Sequence, residues 1–349
     1  MSDRLSPAGA LRRIAFLLER AREPSYRVQA FRTAATVVAG LDDADLDRRV
    51  RLRTLTDLKG IGDKTAAVVT EAHRGEVPAY LARLEEQYAE LAPLAEEAAA
   101  LRAALRGDLH AHSDWSDGGS PIREMAETAI DLGHEYLALT DHSPRLTVAN
   151  GLSPERLERQ LDVVAALNAE LAPFRILTGI EVDILVDGTL DQTDELLGRL
   201  DVVVASVHSD LRAPRTQMTE RMLAAVGNPH TDVLGHCTGR LVIGRRQRNG
   251  SQRPRPESEF DADAVFRACA AAGTAVEINS RPERLDPPRR LLTRAVELGC
   301  EFSIDTDAHA PGQLDWQDNG CTRAVECGVP AERVVNTRPA DELLARTHR

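Results

Sequence analysis

Apolar positions in the first forty residues of the chain recur with the period of an α-helix. The pattern runs from Pro7 to about Gly40 and is interrupted at Pro24, a residue type that commonly ends or restarts a helix. It predicts two helices, and a third short segment precedes Leu55. We therefore expect a small all-α domain at residues 1–80, followed at 81–106 by a helical connector rich in Ala, Leu and Glu.

After Gly107 the pattern changes to short β-rich apolar runs that alternate with amphipathic stretches. The predicted strands are Tyr136–Thr140, Ile176–Val182, Val202–Val207, Val233–Leu234, Ala275–Ile278 and Phe302–Ile304. The predicted helices are Ile122–Leu132, Pro154–Leu171, Thr216–Ala225, Ala262–Ala272 and Arg289–Leu298. Alternation of this kind predicts an α/β domain at 107–349, either a parallel barrel or an open doubly wound sheet.

The charge of the chain is unevenly distributed between these two parts. Residues 1–80 hold 14 Lys/Arg against 11 Asp/Glu, whereas residues 81–349 hold 29 against 44. A mildly basic front and an acidic remainder are compatible with a nucleic-acid contact surface joined to a metal-binding body. The five cysteines form no C-x-x-C pair, which argues against a disulfide framework or a zinc ribbon. The sequence has no secretory or membrane-length apolar run, so we expect a cytoplasmic protein without membrane contact.

Side chains that commonly bind metals lie at the ends of the predicted strands. Six of the ten histidines belong to these motifs. The motifs are Asp108-Leu-His110-Ala-His112, Asp141-His142, Gly179-Ile-Glu181, Ser206-Val-His208, Gly235-His236 and Asp305-Thr-Asp307-Ala-His309. The C-terminal ends of parallel strands converge on one mouth, and strand alternation puts His110 and His112 on one face. The sequence therefore predicts a polynuclear centre of His, Asp and Glu ligands.

A Gly-Ile-Gly turn in the front domain is flanked by helical patterns. It contains Gly60 and Gly62, and the only lysines of the chain, Lys59 and Lys64, lie beside them. Glycines in such a turn let backbone N–H groups at the start of the second helix approach a DNA phosphate. The segment fits a helix-hairpin-helix, and we expect these four residues and Thr65 to contact DNA. An ordinary helical hairpin is the alternative.

The strand-end motifs resemble those of the PHP (polymerase and histidinol phosphatase) superfamily. Further segments are similar to the PHP domain fused to bacterial family-X DNA polymerases, namely Ala149-Asn-Gly-Leu152, Gly235-His-Cys-Thr-Gly-Arg-Leu241 and Glu277-Ile-Asn-Ser-Arg-Pro-Glu-Arg-Leu-Asp286. Residues 8–80 resemble the small N-terminal domain of the same polymerases. The resemblance implies an α/β fold, a distorted (β/α)7 barrel with a trinuclear metal centre, preceded by an all-α helix-hairpin-helix domain.

The resemblance also implies which residues hold three divalent transition-metal ions. Mixed imidazole and carboxylate ligation suits Zn, Mn or Fe. The implied ligands are His110, His112, Glu181 and Asp307 for the first ion, the bridging Glu181 with His208 and His236 for the second, and Asp117, His142 and His309 for the third. Asp117 stands where some relatives have His, which favours a harder ion at that position.

Four further residues are expected to take part in the reaction. Bound ions of this type lower the pKa of water and neutralise charge on phosphoryl oxygens, so the expected reaction is attack of a metal-activated hydroxide on phosphorus. Asp141 is expected to orient the adjacent histidine or to transfer a proton. Arg240, Arg281 and Arg284 are expected to bind phosphate oxygens, with salt bridging as the alternative for each.

Two departures from the polymerases narrow the expected activity. Lyase-active relatives carry a Schiff-base lysine on the helix after the hairpin, and that position is Val68 here. A lyase needs an amine nucleophile, so we expect DNA binding without abasic-site lyase chemistry. Fewer than thirty residues separate Tyr80 from Asp108, which is too few for a polymerase palm.

Three functions remain open from the sequence alone. The first is a phosphoesterase at DNA ends, acting as a 3'-5' exonuclease, a 3'-phosphatase or an abasic-site endonuclease. The second is a small-molecule phosphatase of the histidinol-phosphatase type, which the acidic body of the chain favours. The third is a non-catalytic DNA-binding adaptor, although structural metal sites rarely need open coordination.

Overall fold

The structure of the protein is a computed structural model that describes residues 5–89, 93–244 and 253–347. The chain divides into two compact units, Met1–Pro93 and Leu94–Arg349. Each unit has its own hydrophobic core. The division lies inside the stretch 81–106 that the sequence predicts as a connector.

The first unit is built from helices. These are α1 (Pro7–Arg20), α2 (Ser25–Ala39), α3 (Asp43–Leu52), α4 (Asp63–His73) and α5 (Ala79–Ala89), with a 3-10 turn at Leu55–Asp57. The hydroxyl of Ser6 caps α1 by accepting a hydrogen bond from the amide of Gly9, as is usual at helix starts. Leu11, Ile14 and Leu18 are fully buried, so α1 forms the centre of this core.

The second unit begins with α6 (Glu96–Ala104) and alternates strands with helices. Its strands are β1 (Gly107–Ala111), β2 (Tyr136–Leu139), β3 (Arg175–Asp183), β4 (Val202–Ser206), β5 (Val233–Leu234), β6 (Ala275–Asn279) and β7 (Phe302–Asp305). Its further helices are α7 (Ile122–Asp131), α8 (Pro154–Leu171), α9 (Asp194–Leu197), α10 (Arg215–Val226), α11 (Ala262–Ala272), α12 (Arg289–Glu297), α13 (Gln317–Glu326) and α14 (Ala340–Thr347). Within the described ranges, no helix combines the length and the apolar character needed to cross a membrane.

The strands of the second unit form one sheet that closes nearly into a barrel. They lie in chain order from β1 to β7, and each neighbouring pair is parallel. A bridge between Ala111 and Ala308 joins the two ends of the sheet. The predicted distorted (β/α)7 barrel behind a helical domain is therefore confirmed, and the alternative of an open doubly wound sheet is wrong because the sheet closes.

The barrel interior changes from apolar to polar along the strands. Tyr136, Val202 and Ala275 are each the first residue of a strand, and they belong to one buried apolar cluster. His110 and Glu181, further along β1 and β3, are also buried. Buried polar groups require partners, so the C-terminal ends of the strands are where a functional site is expected.

Candidate metal centre

The carboxylate of Glu181, on β3, lies at the centre of a group of imidazoles. Its Oε1 atom is 2.8 Å from Nε2 of His236 and 3.2 Å from Nε2 of His208. Its Oε2 atom is 2.9 Å from Nδ1 of His142 and 3.3 Å from Nε2 of His110. Because the histidines come from four different strand ends, the fold brings residues that are distant in the sequence to one carboxylate.

His110 and His112, at the end of β1, face Asp307, which follows β7. The ligand atoms of these three residues lie within 4.8 Å of one another. Nε2 of His112 is 3.5 Å from Oδ1 of Asp307 and 3.6 Å from Oε2 of Glu181. The backbone of Asp307 is left-handed, with φ +53, a conformation that Asp tolerates better than most residues. The residues predicted for the first ion therefore lie together.

A second group lies nearer to solvent, and we call it the outer metal position. It consists of Asp117, His142 and His309. Oδ1 of Asp117 is 3.5 Å from Nε2 of His142 and 3.3 Å from Nε2 of His309. The Asp117 side chain is 36% exposed, compared with 7% for His142. The ligand atoms of His112 are also within 4.8 Å of this group, so His112 lies between the first set of residues and the outer one.

The donor atoms at this centre fit metal ions because many of them are buried without a hydrogen bond. These atoms are Nε2 of His110, both ring nitrogens of His112, Nδ1 of His142, Oε2 of Glu181, Nε2 of His208 and Nδ1 of His236. Nδ1 of His142 and Oε2 of Glu181 approach to 2.9 Å but lack hydrogen-bond geometry. Buried polar atoms are normally satisfied, so the atoms among these that face one another, such as Nε2 of His110, Oε2 of Glu181 and Nε2 of His208, are best explained as metal ligands. Nδ1 of His236 is on the far edge of its ring, since Nε2 of that ring faces Glu181. The mixed N and O character of the facing atoms suits Zn, Mn or Fe.

The electrostatics of the centre keep its carboxylates ionised. Burial alone would raise the pKa of Glu181, but the nearby imidazoles of His208, His110 and His142 lower it well below its usual range. Burial likewise opposes ionisation of Asp307, yet the guanidiniums of Arg284 and Arg281 lower its pKa well below the usual range. Metal ligands must be deprotonated, so both carboxylates are in the form that binds a cation.

Two buried carboxylates orient the histidines from behind. Oε1 of Glu277 is 2.6 Å from Nδ1 of His110, and Oδ1 of Asp183 is 2.6 Å from Nδ1 of His208. A carboxylate on Nδ1 fixes the tautomer that leaves Nε2 free to bind a metal. The sequence reasoning gave neither residue a role. The signal for Asp183 was its place two residues after Glu181 on a strand, which puts both side chains on the same face.

The three arginines predicted to bind phosphate differ in their contacts. Arg284 donates from Nε to Oδ2 of Asp307 at 2.8 Å, and its Nη1 is buried without a partner. Arg281 donates from Nη1 to the backbone oxygen of Asp307 at 2.9 Å. Arg240 donates to the backbone oxygens of Arg284 and Leu285. All three therefore support the loops at the barrel mouth, and their binding of phosphate stays a prediction.

The side chain of Asp141 points away from His142. Its carboxylate accepts hydrogen bonds from the amide and hydroxyl of Ser113, from the hydroxyl of Ser116 and from Nε2 of Gln160. Among the hydrogen bonds of the described residues, none joins Asp141 to His142. Its contacts are those of a group that holds a loop, and a part in proton transfer stays a prediction.

The hairpin of the first unit has the backbone geometry that its glycines predict. Gly60 has φ +97, and a Cβ there would lie 2.7 Å from Cγ2 of Thr33. Gly62 directly precedes α4, and its amide donates to Oγ1 of Thr65 at 3.0 Å. The Thr65 hydroxyl therefore caps the start of α4. Of the five residues predicted to contact DNA, Thr65 is the one whose side chain is already engaged in this way. Lys59 and Lys64 are exposed.

The position of the missing lyase lysine lies in the core of the first unit. Val68 is on α4 and is 1% exposed. An apolar side chain at that position supplies no amine nucleophile. The expectation that the domain lacks lyase chemistry therefore stays a prediction with a clear physical basis.

Known protein families match both units. Residues 108–281 match the family described as PHP domain. The second unit therefore contains a PHP domain. Residues 4–76 match the family described as Helix-hairpin-helix domain, so the front domain predicted from the Gly-Ile-Gly turn is also confirmed. Outside the PHP match, residues 282–347 complete the barrel with α12, β7 and the helices after it.

Relatives of the PHP domain include larger and smaller proteins. DNA polymerase/3'-5' exonuclease PolX of Bacillus subtilis is 44% identical over 241 residues, which cover 69% of this chain and 40% of that protein. A probable phosphatase of Acetivibrio thermocellus is 28% identical over 250 residues, which cover 68% of this chain and 95% of that protein. A structure of histidinol phosphate phosphatase from Lactococcus lactis, complexed with zinc, L-histidinol and phosphate, is 20% identical with a TM-score of 0.46, over 64% of this chain and 94% of that one. This chain thus spans less than half the length of PolX.

Proposed function

We propose that the chain is a metal-dependent phosphoesterase that hydrolyses phosphate esters at DNA ends. Hydrolysis of phosphate esters follows from the PHP domain of the second unit. The observation that carries the proposal is the convergence of imidazoles on Glu181, with buried donor atoms that have no hydrogen bond. A 3'-5' exonuclease, a 3'-phosphatase and an abasic-site endonuclease are the proposed forms of this activity.

The proposed cofactors are three divalent ions, Zn, Mn or Fe. Their proposed ligands are His110, His112, Glu181 and Asp307 for the first, Glu181 with His208 and His236 for the second, and Asp117, His142 and His309 for the third. When bound, such ions acidify water and neutralise charge that develops on phosphoryl oxygens. The chain itself supplies the orientation of the ligands, through Glu277 on His110 and Asp183 on His208. Arg281 and Arg284, which are positively charged and border Asp307, are proposed to attract the phosphate ester.

DNA is the proposed substrate because a helix-hairpin-helix domain precedes the PHP domain in the same chain. The start of α4 offers first-turn amides that lack a helical acceptor, and such amides bind phosphate. Lys59 and Lys64 are exposed on either side of this turn and add charge that neutralises DNA phosphates. The front domain would raise the local concentration of DNA ends for the PHP domain.

A small-molecule phosphatase is the second candidate. Residues 81–349 hold 29 Lys/Arg against 44 Asp/Glu, and a net negative surface disfavours a polyanion. Several relatives named as probable phosphatases lack the length for a further domain, since this chain matches 95% of the one from Acetivibrio thermocellus. In this case the front domain would serve a purpose other than substrate binding.

The test measures hydrolysis and metal content together. Purified full-length protein, with Mn or Zn supplied, is assayed on 3'-labelled DNA with 3'-hydroxyl or 3'-phosphate ends and on histidinol phosphate. We expect DNA turnover that His110→Ala abolishes and that the control His230→Ala retains, because His230 precedes β5 at the other end of the barrel. Turnover of only the small ester would support the second candidate. No turnover of either substrate by metal-loaded protein would contradict both and favour the DNA-binding adaptor.

A further inference from the structure

Asp141 is the centre of a buried hydrogen-bond network beside the metal centre. The side chain is 1% exposed. One carboxylate oxygen accepts from the amide of Ser113 at 2.8 Å and from the hydroxyl of Ser116. The other accepts from the hydroxyl of Ser113 and from Nε2 of Gln160, each at 2.6 Å. Both oxygens are therefore fully engaged, and the group is shielded from substrate and solvent.

The donors on Asp141 belong to the loop that carries Asp117. Ser113 and Ser116 lie between β1 and α7, and Asp117 is the next residue after Ser116. The loop turns tightly, since the amide of Gly118 donates to the backbone oxygen of Ser113 at 2.9 Å. A Cβ on Gly118 would lie 2.6 Å from that same oxygen, so only glycine fits this turn. The position of the Asp117 carboxylate thus depends on a loop and not on a strand.

This dependence distinguishes the outer metal position from the rest of the centre. His142 directly follows Asp141, so one short segment after β2 both provides a ligand and anchors the loop of a second ligand. The Gln160 side chain extends the network to α8. The ligands His110 and Glu181 come from strands and are at most 1% exposed, whereas the Asp117 side chain is 36% exposed. An ion at the outer position is the one whose ligand set is least supported by the barrel.

We propose that Asp141 is a positioning residue that determines the occupancy of the outer metal position by holding residues 113–117. The inference rests on the proposed metal centre. It replaces a part in proton transfer, because a fully hydrogen-bonded, enclosed carboxylate has no free oxygen to offer. An Asn at this position has an NH2 group in place of one carboxylate oxygen. The groups that now donate hydrogen bonds to that oxygen would face another donor and be left buried and unpaired. The loop then loses its anchor while the strand ligands keep theirs.

The test compares metal content per folded chain during titration with a chelator, by elemental analysis. For Asp141→Asn we expect about one ion to be released at roughly 10- to 100-fold lower chelator concentration than for the unaltered chain, the range seen when outer-shell partners are lost. Ser116→Ala removes one donor from the loop side and should shift the same ion in the same direction. The control Asp201→Asn alters a carboxylate that directly precedes β4 and accepts hydrogen bonds from the amide and hydroxyl of Thr178 on β3. This control should leave the titration unchanged.

The outcomes separate this inference from the proposed function. If Asp141→Asn keeps every ion with unaltered affinity while hydrolysis falls, the residue acts in the chemistry and the inference is wrong. If all ions are lost together, with a matching fall in the melting temperature, the residue supports the fold in general and the inference is also wrong. If the unaltered chain binds no transition metal, the metal centre itself is refuted, and this inference falls with it.

Discussion

Replacement of Glu277 by glutamine provides a direct test of how the metal centre is oriented. Glu277 is fully buried, and its Oε1 is 2.6 Å from Nδ1 of His110. Its Oε2 accepts from the amide of His236 and from Nδ2 of Asn279. A glutamine has one oxygen, so one of these two sets of donors must face an NH2 group. Each orientation of the amide therefore either leaves a buried donor unpaired or forces the His110 ring into its other tautomer.

The expected cost follows from the two possible orientations of the amide. If the NH2 faces Nδ1 of His110, the ring proton must move to Nε2, the nitrogen that faces Glu181, and Nε2 then has no lone pair with which to bind a metal. If the NH2 faces the amide of His236, a buried donor is unsatisfied, at about 1–3 kcal/mol. Either way, we expect Glu277→Gln to weaken metal binding by roughly 10- to 100-fold, equivalent to about 1.4–2.7 kcal/mol.

The assay is competition for Zn or Mn against a chelator of known affinity, together with thermal unfolding with and without metal. The control is Glu301→Gln, which alters a carboxylate paired with Arg338 and Arg346, away from the ligands. The control should lower stability without a change in metal affinity. Metal affinity of Glu277→Gln equal to that of the unaltered chain would refute the orienting role of Glu277.

Three further predictions concern protons, the hairpin and DNA. Burial lowers the pKa of His208, but Glu181 and Asp183 raise it to about 9. Below that pH the metal-free ring is protonated and must lose its proton to bind metal, so metal affinity should rise as the pH increases from 7 to 9. Calorimetry in buffers of different ionisation enthalpy should detect the released proton. Gly60→Ala should destabilise the protein by about 1–3 kcal/mol, because Gly60 has a φ of +97 and Thr33 approaches it closely. The control Gly62→Ala, whose added Cβ would have no atom within 4 Å, should unfold at nearly the temperature of the unaltered chain. Equal losses of stability in the two variants would contradict this geometry. Lys59→Ala combined with Lys64→Ala should reduce the slope of log binding constant against log salt concentration for duplex DNA by up to about two units, and it should leave small-ester hydrolysis unchanged. An unaltered slope in binding titrations at several salt concentrations would exclude these lysines from the DNA contact.

The strands and their ligands were predictable because a parallel strand carries its pattern in the sequence. The run Val202–Ser206 is apolar up to its last residue, and Ala275–Asn279 is apolar except for Glu277 and Asn279. The predicted ends of both strands are within one residue of the observed ones. Since parallel strands converge at their C-terminal ends, polar residues such as His208 were identified as site candidates without coordinates. The family resemblance added the grouping of these residues.

The supporting contacts were not predictable, because they depend on which way a side chain turns. Asp141 and His142 are adjacent in the sequence, yet one holds a loop and the other faces Glu181. Arg240 lies in a loop at the barrel mouth, but its guanidinium is bonded to backbone oxygens of the β6–α12 loop. Neither spacing nor residue type distinguishes these orientations, which are decided by packing around the barrel mouth.

The charge around the centre resolves an apparent conflict between an acidic domain and an anionic substrate. The carboxylates that face or orient the ligands are Glu181, Asp307, Asp117, Glu277 and Asp183. Three divalent ions would bring more positive charge than these five carboxylates carry negative charge, and Arg281 and Arg284 add two further positive groups at the same mouth. A local field of this sign attracts a phosphate ester even where the surrounding surface is acidic. Removal of the ions would reverse the sign, so binding of a non-hydrolysable phosphate ester by the PHP domain should require metal, and equal binding by the metal-free protein would contradict this account.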